Sequence, residues 1–311
     1  MNEQHKIIYL ARIYGFCSGV ATAITIVERA LEKYGTPLYV YHQIVHNTFV
    51  VKHFEDRGVI FVEALDDIPP GGRVIFSAHG VSPWVIRQAR ERGLKVIDAS
   101  CPLVKKVHRE AVRFSKDGRQ VILIGHKGHQ EIVGTSGYVA PQQLHIVQKP
   151  EEVPALPLTP ETPVAYVTQT TLSQDDATRI IAALKERFSN ISGPPRDDIC
   201  YATQSRQDAV RELAAFCDII IICGSPNSSN SNRLREIGER CGVPSHIIDQ
   251  AGELDLQWLD GKKKIGLSSG ASVPEYIVED VIGTIQKHYP GAGVESAGSS
   301  SEARIFPLPE V

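Results

Sequence analysis

Apolar residues in this chain gather in short blocks. Ile7 to Leu10, Leu38 to Tyr41, Val121 to Ile124 and Ile219 to Ile222 are near-continuous runs of strand length. Between such runs lie segments with helical spacing, among them residues 20–35 and 173–187. Strands that are apolar on both faces and alternate with helices predict an α/β fold of parallel sheets covered by helices. In such sheets, ligand-binding groups gather in the loops beyond the carboxyl ends of the strands.

The order of elements recurs three times. An extended lead-in, a cysteine and then a helix occur at "YGFCSGV", "VIDASCPLVKKVH" and "DICYATQSRQ", with the thiols at positions 17, 101 and 200. The spacings, 84 and 99 residues, suit small α/β domains. Downstream of each cysteine a strand leads to a polar loop: "LYVYHQIVHN", "VILIGHKGHQE" and "IIIICGSPNSSN". His46 stands 29 residues after Cys17, His129 28 after Cys101, and Ser228 28 after Cys200. A second strand and loop complete each copy, as "RVIFSAHGVSP", "VAYVTQTTLS" and "KIGLSSGASVP". Repetition at this period predicts three similar units whose loops converge on one central site.

The units are expected over residues 1–100 with Cys17, His46 and His79, over 101–197 with Cys101, His129, Glu131 and Thr170, and over 198–290 with Cys200, Ser228 to Asn230 and Ser272. Proline-rich stretches at 64–73, 148–163 and 189–198 read as linkers. The small, polar segment 291–311 reads as a loose C-terminal tail.

Composition adds exclusions. The 311 residues are 42% hydrophobic and 22% charged, as expected of a globular enzyme, and the net charge of −3 speaks against a nucleic-acid partner. No apolar run approaches the ~20 residues of a membrane span, and the N-terminus lacks a signal-peptide profile. The expected location is cytoplasmic, with reduced thiols, because six cysteines in a chain of this length do not make a disulfide scaffold.

A thiol at a helix N-terminus is stabilised as the thiolate, which suits nucleophilic attack or metal ligation. One nucleophile needs one such site, whereas Cys17, Cys101 and Cys200 are three equivalent ones. Structural zinc uses closely paired cysteines, a spacing absent here. An iron–sulfur cluster is large enough to take ligands from three separated segments, and three ligands leave one iron open as a Lewis acid. Zinc held by three thiolates and a fourth ligand, and three buried structural thiols, stay open as alternatives. Cys217, Cys223 and Cys241 fall within strand or helix patterns and are expected in the core.

The stretches "GFCSGV", "HQIVHN", "SAHGVSP", "DASCPLVKKVH", "GHKGHQEIVGT", "TQTTLS", "DICYATQSRQ", "GSPNSSNSNRL" and "SSGASVPE" resemble those of the 4-hydroxy-3-methylbut-2-enyl diphosphate reductases, the last enzymes of the methylerythritol phosphate route to isoprenoids. The resemblance implies a trefoil of three α/β domains around one 4Fe–4S cluster held by Cys17, Cys101 and Cys200. It implies reductive dehydroxylation of the (E)-substrate to isopentenyl and dimethylallyl diphosphate at the open iron. Two electrons and two protons enter, and water leaves.

The same resemblance assigns the substrate diphosphate to His46, His79, His129, Ser228, Ser229, Asn230 and Ser272, and the substrate hydroxyl to Thr170. It makes Glu131 the proton donor, with Thr170 and His129 completing the catalytic set. Glu131 is also the one carboxylate in the converging loops. The chain departs from many relatives at Gln130, where they carry proline, and near Ser205, where they carry asparagine. His42, His53, His108, His126 and His145 read as structural.

No pyridine-nucleotide fingerprint, flavin motif or second cysteine cluster is present in the sequence. Electrons are therefore expected from an external carrier, ferredoxin or flavodoxin, with no nucleic-acid or membrane partner. A cluster-dependent hydro-lyase acting on a small phosphorylated substrate and a non-catalytic iron–sulfur sensor are the competing classes.

Overall fold

The structure, a computed structural model, describes residues 5–298 and Phe306. The described residues divide between two compact units, one drawn from residues 5–20, 46–52 and 201–298, the other from residues 21–45 and 53–200 with Phe306. The α/β expectation holds in both.

In the first unit β1 (Ile7–Ala11), β10 (Ile219–Cys223), β11 (Ser245–Ile248), β12 (Lys264–Ser269) and β13 (Gly293–Ala297) form one parallel sheet in the order β11-β10-β12-β1-β13. Side chains alternate across a strand, so Ile8, Ile219, Ile221, Ile265 and Leu267 share one face. There α9 (Glu275–His288) buries Ile277, Val278, Val281 and Ile285 against them. The opposite face, with Ala11, Ile220 and Ile222, meets Val210 and Leu213 of α7 (Tyr201–Ala214) and Leu234 and Ile237 of α8 (Ser229–Arg240). Coverage on both faces is why these strands read as unbroken apolar runs.

In the second unit β2 (Leu38–Tyr41), β3 (Val59–Val62), β4 (Arg73–Phe76) and β5 (Lys95–Asp98) form a parallel sheet in the order β3-β2-β4-β5. A second parallel sheet joins β6 (Gln120–Ile124), β7 (Leu144–Val147), β8 (Val164–Thr168) and β9 (Ile191–Ser192) in the order β7-β6-β8-β9. Val85 and Ala89 of α3 (Pro83–Glu91) pack on Val74 and Phe76. Val107, Ala111 and Phe114 of α4 (Pro102–Lys116) meet Val121 and Leu123, while Ala177, Ile180 and Leu184 of α6 (Gln174–Arg187) meet Ile122 and Ile124. α1 (Ser18–Tyr34), α2 (Thr48–Glu55) and α5 (Gln130–Ser136) follow the loops of Cys17, His46 and His129.

The first four positions of the five-stranded sheet repeat the order of the other two once β1 is counted directly after β12. The fourth strand in each, β5, β9 or β1, is the one that leads to Cys101, Cys200 or Cys17. This shifts the expected frame by a strand. The strand of residues 7–11, expected to open the unit 1–100, pairs instead with β12 and β13. Lys6 shows the physical reason. Its ammonium donates to the carbonyls of Leu259 and Lys262, both at 2.7 Å and both ahead of β12, and lies 4.3 Å from the centre of the Tyr289 ring.

Three further expectations are corrected. Residues 293–297 of the supposed loose tail form β13, held by its backbone ladder to β1 although Val294 is exposed. The supposed linker 189–198 contains β9, which pairs with β8. Cys217 and Cys223 are buried, but Cys241 is exposed where it ends α8. The part of the expected tail beyond residue 298, Phe306 apart, lies outside the described residues. Among the described residues no helix is long and apolar enough to cross a membrane.

Candidate functional site

Each of the three repeated cysteines is tied by its own backbone N–H to the loop after the neighbouring strand of the sheet. Cys101 N donates to Ala78 O after β4 at 2.9 Å, Cys200 N to Thr170 O after β8 at 3.0 Å, and Cys17 N to Ala271 O after β12 at 3.0 Å. One backbone device, used three times, brings each thiol beside the loop that carries His79, Thr170 or Ser272.

In the second unit these loops meet the start of α5. His129 caps that helix, its Nδ1 accepting from Glu131 N–H at 3.1 Å. That bond leaves the ring proton on Nε2, and burial pushes the pKa down to about 4, so the imidazole is a neutral donor. Its ring stands edge-on to His79, with centroids 6.0 Å apart.

Glu131 is 5% exposed. Thr170 N–H donates to its Oε2 at 2.9 Å, and the Thr170 hydroxyl lies 3.0 Å from Oε1 and 2.9 Å from Oε2. Burial pushes the carboxyl pKa up to about 7, against the opposing pull of those hydrogen bonds. A backbone N–H can only donate, so Oε2 stays an acceptor and the acidic proton belongs on Oε1. The threonine hydroxyl can take that proton's hydrogen bond and donate its own onward. Gln169 braces the loop, receiving His126 N–H on Oε1 at 3.0 Å and donating from Nε2 to Thr171 Oγ1 at 2.8 Å. Six expected residues, Cys101, His79, His129, Glu131, Thr170 and Cys200, thus lie along one run of contacts.

In the first unit Ser228 caps α8 by accepting from Ser231 N–H at 3.3 Å. Ser229 and Asn230 fill the first turn. Asn230 is 5% exposed, yet neither its Nδ2 nor its Oδ1 has a hydrogen-bond partner. The Gly270 backbone presses on this turn so closely that a Cβ there would lie 2.1 Å from Ser231 Oγ. Ser272 Oγ donates to His46 O at 2.9 Å, which joins the loop after β12 to the loop after β2. The remaining six expected residues, Cys17, His46, Ser228, Ser229, Asn230 and Ser272, are therefore in or beside these joined loops.

Two residues were not singled out from the sequence. Asp249, after β11, accepts the Ser225 hydroxyl on Oδ1 at 2.5 Å and the Thr48 hydroxyl on Oδ2 at 2.6 Å, so one carboxylate holds two of the loops. Asn47 caps α2 by accepting from Val50 N–H at 3.0 Å while its buried Nδ2 has no partner. Its place directly after His46 in "HQIVHN" was the available signal.

The family described as LytB protein matches this sequence over residues 8–286. The chain belongs to the LytB family. A similar member is the 4-hydroxy-3-methylbut-2-enyl diphosphate reductase of Pseudomonas entomophila, 52% identical over 306 residues, with 97% of each chain covered. The enzyme of that name from Neisseria meningitidis serogroup B is 49% identical over 310 residues, covering 100% of this chain and 95% of its own. The solved E-1-hydroxy-2-methyl-but-2-enyl-4-diphosphate reductase of Plasmodium falciparum superposes with a TM-score of 0.95 at 39% identity, covering 98% of this chain and 96% of its own. A second solved (E)-4-hydroxy-3-methyl-but-2-enyl diphosphate reductase, described as the terminal enzyme of the non-mevalonate pathway, gives 0.64 at 33% identity, covering 90% and 99%.

This LytB chain has a donor set that suits an iron–sulfur cluster in kind. Cys17, Cys101 and Cys200 are half-buried thiols on strand-to-helix turns, and thiolate sulfur is the usual ligand of such clusters. Val20 N–H, in the first turn of α1, points at Cys17 Sγ across 3.5 Å. Among the described residues no group of three or more His, Cys, Asp or Glu stands ready to hold a single metal ion.

Proposed function

We propose that this chain reduces (E)-4-hydroxy-3-methylbut-2-enyl diphosphate to isopentenyl and dimethylallyl diphosphate, taking up two electrons and two protons and releasing water. The observation that carries the reading is the Glu131–Thr170 pair, a buried acid poised near neutrality beside a neutral histidine, in a chain whose full-length relatives bear that enzyme's name. Cys17, Cys101 and Cys200 would hold a 4Fe–4S cluster, which when bound supplies single electrons and a Lewis-acidic iron. Electrons come from a separate carrier, ferredoxin or flavodoxin, in the cytoplasm.

The chain's own residues divide the remaining work. Ser228, Ser229, Asn230 and Ser272, with His46, His79 and His129, take the diphosphate. The first turn of α8 offers backbone N–H groups and the positive end of its dipole to the anion, and the idle Asn230 amide supplies a donor already desolvated. His129 adds an Nε2–H without adding charge. Glu131 gives up the proton on Oε1, with the Thr170 hydroxyl relaying it to the substrate oxygen, which leaves as water rather than hydroxide. The resulting carboxylate keeps both bonds from Thr170.

Anaerobic turnover with a chemical reductant, with both products followed and iron and sulfide assayed on the same sample, tests the proposal. Product that requires both reductant and cluster is expected. Dehydration without reductant would favour the hydro-lyase, and a full cluster with no product would favour the sensor.

Asn230→Ala separates binding from folding. A buried amide without partners costs stability that substrate contact recovers. The variant should raise KM about tenfold, the value of one hydrogen bond to a charged group, while its melting temperature is no lower than wild type. Steady-state kinetics and a thermal melt read both.

A further inference from the structure

We infer that Lys106 and Arg206 are positioning residues that hold the backbone ahead of the cluster cysteines in place. The inference rests on the cluster reading above. Lys106, on the helix that follows Cys101, spends its ammonium on three consecutive residues: Arg196 O at 2.7 Å, Asp197 O at 3.1 Å and Asp198 Oδ1 at 2.9 Å. That segment ends two residues before Cys200. The Asp198 side chain is fully buried, and its second oxygen accepts from Thr168 N–H at 3.1 Å, at the end of β8. Thr168 leads directly into the loop where Thr170 holds both Cys200 N–H and Glu131. One lysine thereby connects the helix of Cys101, the lead-in to Cys200 and the loop of the proposed acid.

Arg206 repeats the device on the helix that follows Cys200. Its Nη2 donates to Gly15 O at 2.8 Å, two residues before Cys17, and its Nη1 to Ala202 O at 3.1 Å. Gly15 has φ +77° and lies so close to Glu275 that a Cβ would sit 2.6 Å from its Cγ. In both cases a cation on the helix after one cysteine grips the chain ahead of another. Ligand groups held at fixed spacing bind more tightly and release more slowly, and groups supporting metal ligands are typically worth 10- to 100-fold in affinity. Neither side chain touches a thiol in the bonds described, so the action is on geometry.

The test compares wild type with Lys106→Met and with the double variant Lys106→Met/Asp198→Asn, in which no charge is left buried alone. Arg113→Met, which removes a cation paired with Glu110 elsewhere on α4, controls for charge loss. Each full-length holoprotein is challenged anaerobically with an iron chelator, and its cluster absorbance and paramagnetic resonance signal are followed. The melting temperature of the cluster-free chain is measured beside it. We expect the double variant to lose its cluster about tenfold faster than wild type, with the cluster-free melt unchanged and the Arg113 control like wild type. Cluster retention equal to wild type would overturn the inference, as would faster loss that only tracks a lower melting temperature. A wild-type chain that takes up no iron and sulfide would overturn the cluster reading as well, so the two failures are told apart.

Discussion

Glutamine in place of Glu131 is expected to cut turnover by about 10²- to 10⁴-fold, the usual worth of a positioned general acid, with iron and sulfide content unchanged. The substituted amide would keep the shape and an acceptor oxygen for Thr170 N–H but has no acidic proton to lose. The acid form of Glu131 is present at neutral pH because burial raises its pKa to about 7. Wild-type turnover should therefore fall as pH rises through about 7.

The linkage to stability has the same sign. Because the folded pKa lies above the ordinary value of 4.5, the protonated form favours folding. That stabilisation is complete below pH 4.5 and lost as pH rises through about 7. The Glu131→Gln chain should lack this loss, so its melting temperature relative to wild type should climb between pH 5 and pH 8. Undiminished turnover in Glu131→Gln would sink the proton-donor role, whatever the melts show.

Cysteine replacement should split the six thiols into two groups of three. Cys17→Ser, Cys101→Ser and Cys200→Ser should each leave only a minor fraction of the wild-type iron and sulfide after anaerobic reconstitution, because each removes one of the three proposed ligands. Alanine at 217, 223 or 241 should leave the content intact. Burial pushes the thiols of Cys217 and Cys223 up to about 12, which keeps them protonated and poor ligands, and Cys241 ends a helix at the surface. Full iron in Cys101→Ser, or equal loss in Cys241→Ala, would contradict the ligand assignment.

Local pattern was enough to find the central strands, several helices and the three cysteine turns, because burial on both faces and a helix start leave marks within a dozen residues. Partner choice leaves no such mark. "IIYLA" reads as the same strand whichever sheet accepts it, and the Lys6–Lys262 bond that helps decide spans 256 residues. "GVESA" has no apolar stripe because β13 is held by backbone, and the two residues of β9 are too few for any period.

Among the candidate site residues, those on the repeated loops were marked by the repeat and given roles by the family resemblance. Asp249, Lys106 and Asp198 were not, since each has a side-chain partner 92 residues or more away in the chain. Asn230 was found as a motif member, but that its amide is buried and partnerless is visible only in the structure.

The place of β1 bears on how the protein is made. Its neighbours on both sides, β12 and β13, lie far downstream of it, from Lys264 onward, in the order in which the chain is made. The strand before Cys17 is therefore synthesised well ahead of both partners and cannot pair with them until they too have emerged. The second unit's two sheets need no such wait, since their strands lie within residues 38–192. Cys101 and Cys200 can gain their backbone tethers to Ala78 and Thr170 before β12 is made, whereas Cys17 gains its own, to Ala271, only after it. On the cluster reading, the three proposed ligands can come together only once β12 and the loop after it have been made.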